Sequence, residues 1–339
     1  MTLMSALTEP VFPPPPPPPP TPPTEPKAPR PTYLWPFAIG FFVLGLLFLV
    51  GSLTKLSPDA WFTAIAFCFV GLLIFGLSFI PLPAVPQKEE PLSFLQKVTG
   101  IFFEPSRVFR NLREHPLWVG AFILMGLLSA TYSYAFVQRI TPERIVEQAR
   151  QQTESMGNLA GTPERREEQL TRQLEAMKHP VTRVGAALNA VPATFLFIAA
   201  VAGLSLLGML AFGGRMNFWQ ALAVTTYGAV PIVVIQKVLG LIILYLKAPE
   251  DLHVNLNRDT TLQDNLGILV TPADQPVLFV LLSVIGITSF YGIWLRAKGM
   301  HLGATRASSG AGWGVSISLL LIGLFLGLTF AVLMPGIFA

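Results

Sequence analysis

Residues Trp219–Leu246 read WQALAVTTYGAVPIVVIQKVLGLIILYL, a stretch whose only charge is Lys237. A helix crosses roughly 30 Å of hydrocarbon with about 20 apolar residues. This segment is longer than that, and Pro231 lies inside it. Proline removes one ladder donor, so the surplus length predicts a tilted or kinked span. A charge at membrane depth costs roughly 3 kcal/mol or more, which makes Lys237 a candidate functional residue by default.

Six more stretches pass the same test: Leu34–Leu53, Trp61–Ile80, Leu117–Val137, Gly185–Phe212, Val277–Leu295 and Trp313–Leu333. Trp35, Trp61, Trp118, Trp219, Trp294 and Trp313 all fall near segment ends, where an amphipathic ring prefers the headgroup level. Across the 339 residues, 52% are hydrophobic and only 12% charged, about half the usual share in soluble domains. A water-soluble fold would lack the polar surface to cover itself. The sequence therefore predicts an all-α integral membrane protein with seven transmembrane helices: a hairpin over residues 34–82, then a five-helix bundle within residues 92–339. The net charge of +4 is too small and scattered to imply nucleic-acid binding, and a lone Cys68 excludes an internal disulfide or a Cys-based zinc cluster.

Outside the spans the chain changes character. Residues 1–33 form a proline-rich arm, with Pro13–Pro20 unbroken, which predicts an extended polyproline II segment. The arm reads either as a semi-rigid tether or as a docking strip for a proline-reading domain. Between the second and third spans, Leu92, Leu95, Val98 and Phe102 recur at helical spacing. After Pro105, the residues Val108, Phe109 and Leu112 share one face and Arg107, Arg110 and Arg113 another. That separation predicts an interfacial amphipathic helix, apolar side on the lipid and guanidinium groups among anionic headgroups. The long polar loop 138–184 repeats one tetrapeptide, Thr141-Pro142-Glu143-Arg144 and Thr162-Pro163-Glu164-Arg165. Each reads as a helix start with threonine cap, proline in the first turn and an acid at the positive dipole end.

Basic loop residues set the orientation. Arg107, Arg110, Arg113, Arg215, Lys298 and Arg306 all fall on one side, against Lys55, Lys247 and Arg258 on the other outside the long loop. The expectation is a cell-membrane protein with its N-terminus in the cytoplasm and its C-terminus outside.

No predicted span holds Asp, Glu or His, and no HExxH pair, GxSxG elbow or Walker loop occurs. No catalytic residue, metal or cofactor is expected. Lys237 reads either as a snorkelling or structural cation or as part of a transport path. Gly323 and Gly327 share a face of the last span and predict close helix packing, within the bundle or in a homodimer.

Four local patterns occur in order: Phe102-Phe103-Glu104-Pro105-Ser106-Arg107-Val108-Phe109, Thr226-Tyr227-Gly228-Ala229-Val230-Pro231, Phe290-Tyr291-Gly292-Ile293-Trp294 and Gly310-Ala311-Gly312-Trp313-Gly314. With five spans after the first of them, the chain resembles the Yip family (Ypt-interacting proteins), in its prokaryotic-looking branch, over about residues 92–339. The resemblance implies a five-helix membrane domain and, in eukaryotic relatives, a non-enzymatic trafficking role through small GTPases and partner membrane proteins. No Asp-Leu-Tyr-Gly-Pro segment precedes the core, and Glu104-Pro105 stands nearest its place. The membrane scaffold, rather than GTPase binding, is what carries over. In that frame Glu104 faces the free amides of the helix that Pro105 begins, Tyr227 and Pro231 shape a kink, and Tyr291 lies in the headgroup zone. The expected function is a scaffold acting through protein and lipid contacts, with small-solute or ion transport through Lys237 as the alternative.

Overall fold

The computed structural model describes residues 30–54, 61–82, 89–155, 163–178, 180–249, 252, 262, 264–272 and 274–334. Among these the chain is helical, with two isolated bridges and no strand. The arm through residue 29, with Pro13–Pro20, and Thr162, His179, Lys55 and Arg258 lie outside the described residues.

Helices α1 (Trp35–Leu53) and α2 (Trp61–Leu77) pack together as a hairpin. A Cβ on Gly45 would sit 2.5 Å from Cys68 Sγ, and one on Gly71 would sit 3.0 Å from the Ala38 carbonyl. Lipid gives apolar helices little hydrophobic reason to associate, so close backbone approach at small residues is what joins them. Next come α3 (Phe94–Phe103), α4 (Pro105–Glu114) and α5 (Val119–Ile140). Helices α6 (Pro142–Ser155) and α7 (Pro163–Lys178) each begin at the proline of the repeated tetrapeptide and pack on each other. Then follow α8 (Pro180–Ala211) and α9 (Phe218–Leu246), which run through Pro192 and Pro231 respectively as single helices. Among the described residues, five helices are long and apolar enough to cross a membrane: Thr32–Leu53, Val119–Ile140, Arg183–Ala211, Phe218–Leu246 and Ser309–Leu333.

The sixth apolar stretch departs from the expected continuous span. It divides into α10 (Pro276–Ser283) and α11 (Ile287–Gly303), ahead of α12 (Ser309–Leu333). At the break, Gly286 is extended and bridges Asn265, a residue of the preceding loop. A Cβ on Gly286 would lie 2.8 Å from Asn265 Cβ, so only glycine admits the loop this closely. Gly286 offers no side chain to cap α11, and Asp264 supplies one: Thr288 N donates to Asp264 Oδ2 at 2.8 Å. The opened helix is thus re-satisfied by a segment more than twenty residues upstream, which a hydropathy profile does not register.

One end of the bundle is fastened by polar contacts. Trp35 Nε1 donates to Ser78 Oγ at 3.2 Å, and Trp219 Nε1 donates to the Ile80 carbonyl at 3.2 Å. Gly213, at φ +74°, lets Gly214 N reach the Met209 carbonyl and closes α8 in a left-handed cap. The next residue pairs across to the turn between α11 and α12: Arg215 N donates to the Arg306 carbonyl at 2.6 Å. Asn217 caps α9 in a reciprocal box with Gln220, whose Nε2 also donates to the Arg113 carbonyl at 2.8 Å. Hairpin, α4, and both helix turns therefore meet at one end, which carries Arg107, Arg110, Arg113, Arg215, Lys298 and Arg306. The opposite end holds the α6–α7 pair, tied down by Arg144, which donates to the carbonyls of Pro249 and Leu252.

The expectation that the apolar face of α4 rests on lipid is corrected. Val108, Phe109 and Leu112 are fully buried, and α4 packs on α9 and α11. Gly299 in α11 makes room: a Cβ there would lie 2.9 Å from the Phe109 ring. Amphipathicity announces an apolar face but not what covers it, and here protein does. In α3 the pattern also shifts, since Leu95 is exposed while Lys97 and Ile101 are buried.

Candidate functional site

The site grows from the corner between α3 and α4. Glu104 ends one helix and starts the next: its N–H donates to the Gly100 carbonyl at 2.6 Å, and its carbonyl accepts from Arg107 N at 3.0 Å. Pro105 follows at the first helical position, where its missing N–H costs nothing. The Glu104 carboxylate does not cap α4 as expected. It reaches Arg107 instead, at 3.4 Å, in an exposed pair. Exposed pairs of this kind contribute about 0–1 kcal/mol, so Glu104 trims local charge more than it stabilises the fold.

The three arginines of α4 do not act alike. Arg107 and Arg110 are exposed. Arg113 is half-buried and pairs at 3.5 Å with Glu114, whose other oxygen accepts Glu89 N at 3.0 Å. Beside them Asn111 is fully buried and makes two hydrogen bonds to the segment before α3: it accepts from Leu92 N at 3.2 Å and donates to the Glu90 carbonyl at 2.9 Å. This fixes the roll of α4 and leaves Arg107 and Arg110 outward.

Where α4 leans on α11, two adjoining clefts open. The first, of about 370 Å³, is bordered by Ser106 and Arg110 of α4, Lys298 and His301 of α11 and Ser309 of α12, with Trp294 and Trp313 as walls. The second, of about 510 Å³, extends past Arg107 to Phe102, Phe103 and Tyr291. Tyr291 stacks on Trp294 with centroids 5.7 Å apart, and Lys298 Nζ lies 4.8 Å from the centroid of that indole. His301 Nδ1 is 3.1 Å from the Ala307 carbonyl, a contact that requires this nitrogen to carry the proton and leaves Nε2 uncommitted. The sequence marks Lys298 only as an orienting charge, and nothing in the spacing of Lys298, His301 and Ser309 joins them to Arg110.

The remaining sequence candidates sit elsewhere. Tyr227 and Pro231 are buried within α9 among the core. Lys237, farther along α9, holds its Nζ 4.8 Å over the ring of Tyr132 in α5. A cation on an aromatic face is a favourable arrangement away from water. A Cβ on Gly327 would lie 3.1 Å from Val280 of α10, whereas one on Gly323 would meet nothing within 4 Å among the described residues, so the two glycines do not share one packed seam there. Lys97, in α3, is buried without an ion pair among the described residues, and burial pushes its ammonium down from 10.5 to about 8.

These features define a class, a multi-pass helical membrane protein with a basic, aromatic-lined end. A family model described as the Yip1 domain matches residues 99–331, more than half of the chain, and the protein belongs to that family. No curated protein and no solved structure matches it.

Proposed function

We propose that the protein is a non-enzymatic scaffold of the cell membrane that works through protein and lipid contacts. In this reading the chain crosses the bilayer seven times, with α2 and the broken α10–α11 pair completing the count and the basic end in the cytoplasm. The observation that supports it most is the mounting of α4. Its apolar face is spent on α9 and α11, so Arg107 and Arg110 are held out at one fixed level of the bundle, beside Trp294 and Trp313. Arginines at a tryptophan belt are suited to anionic headgroups, at about 1 kcal/mol each. The trafficking association of the family fits an organiser rather than a catalyst. The proline arm is the natural tether or docking strip for a proline-reading domain.

The test is purification of the full chain into nanodiscs from a mixed phosphatidylglycerol and phosphatidylcholine membrane, followed by analysis of retained lipid and protein. Enrichment of the anionic lipid or a recurring partner, reduced by the Arg107, Arg110 and Arg113 triple change to Gln, is expected. A lone monomer with bulk lipid composition would overturn the reading.

A second reading, small-solute or ion transport, draws on Lys237 and on the interruption between α10 and α11, since discontinuous helices often flank transport sites. Reconstituted flux abolished by Lys237→Ala would favour it, and flux unchanged by that substitution would remove its support.

A further inference from the structure

We infer that the paired clefts between α4, α11 and the start of α12 bind one anionic phospholipid, its phosphate seated between Arg110 and Lys298. The inference rests on the reading above that this end lies at headgroup depth, and it adds a discrete, stoichiometric site to a diffuse charged surface.

Charge is the first argument. Among the described residues the Arg110 side chain makes no ion pair or hydrogen bond, and the Lys298 side chain is engaged with the Trp294 ring alone. The one acid bordering the clefts, Glu104, is committed to Arg107. The first cleft therefore carries uncompensated positive charge from two helices. Helix polarity adds to it. Ser106 lies in the first turn of α4 and Ser309 in the first turn of α12, so two N-terminal ends, of helices 10 and 25 residues long, border the same space. The positive dipole ends there favour an anion, and both serines bring a hydroxyl donor. His301, anchored through Nδ1, leaves Nε2 as an acceptor, which suits a hydroxyl of the headgroup rather than the phosphate itself.

Shape is the second argument. A free phosphate would need only the first cleft. The second continues from it along Phe102, Phe103 and Tyr291, and Phe103 is 85% exposed. An inorganic anion has no use for an aromatic extension, whereas the glycerol and acyl portion of a phospholipid does. Trp294 borders both clefts and Trp313 walls the first, and indoles prefer the headgroup level of a bilayer.

The experiment uses the full chain in a neutral detergent, titrated with dioctanoyl phosphatidylglycerol, dioctanoyl phosphatidylcholine or inorganic phosphate, with native mass spectrometry counting bound lipid. One phosphatidylglycerol per chain is expected, held more tightly than phosphatidylcholine. Arg110→Gln and Lys298→Gln should each weaken it by about tenfold, the value of one charge-assisted contact. Arg306→Gln removes an equal charge at the same end and should leave the affinity unchanged, while Lys298→Arg should restore most of it. Thermal unfolding without lipid checks that each variant is folded. Equal binding of both lipids, unchanged affinity in the Arg110→Gln Lys298→Gln pair, or phosphate alone binding as well as the lipid would overturn the site. If bilayer enrichment of anionic lipid survives while single-lipid binding is lost from the outset, the scaffold reading stands and the discrete site falls.

Discussion

Lys97 offers the sharpest quantitative prediction. Its side chain is buried where α3 packs on α5 and α9, and burial lowers its proton affinity from 10.5 to about 8. Each tenfold change in acidity is worth about 1.4 kcal/mol, so holding the charged form inside costs about 3 kcal/mol at most. The sign follows from proton counting. Between pH 8 and 10.5 the unfolded chain keeps the proton that the folded chain has released, so stability contributed by this residue rises with pH across that window. Below pH 8 the full cost is present, and above 10.5 it is gone. Lys97→Met keeps the length of the side chain and removes the charge. It should stabilise the detergent-solubilised protein by about 2–3 kcal/mol at pH 7, with the difference shrinking steadily to pH 10.5. Denaturant titrations of both proteins at pH 7, 8, 9 and 10 measure that difference directly. A gap that stays constant across the series would show that the ammonium finds compensation, and the reasoning would fail.

Three further changes probe the supports of the site. Asn111→Ala orphans Leu92 N and the Glu90 carbonyl in a buried place, and should cost about 1–3 kcal/mol in the same denaturation assay. Gly312→Val drives a Cβ into the Ala297 carbonyl where α12 crosses α11, and should destabilise by about 1–3 kcal/mol and loosen the cleft, read as a lower melting temperature. Asp264→Ala removes the cap on the broken helix, and should cost about 1 kcal/mol and raise amide exchange at Thr288. Retained protection at Thr288 would mean that the loop carbonyls alone hold the break.

Much of the fold was legible because long apolar runs mark helices able to cross a bilayer, although Trp118 and Trp219, expected at the headgroup level, are buried in the core. The helices predicted over Trp219–Leu246 and Trp313–Leu333 match α9 and α12 to within a few residues. Two features were not legible. The break at Gly286 depends on Asn265 and Asp264 returning from a distant loop, and local composition around Val277–Leu295 carries no trace of that contact. The covering of α4 was missed for a related reason: Val108, Phe109 and Leu112 mark an apolar stripe whether lipid or Gly299 lies opposite. At the site, Arg107, Arg110 and Tyr291 were singled out, but their joining to Lys298 and Ser309 comes only from the packing of α4 on α11.

The threading of the chain underlies all of this, and sided chemistry tests it most directly. With Cys68 replaced by serine, Arg30→Cys and Met334→Cys place single thiols before α1 and after α12. A membrane-impermeant maleimide applied to intact cells and to inverted vesicles should label the first only from the cytoplasmic side and the second only from outside. Both thiols reacting from the same side would contradict an odd number of crossings.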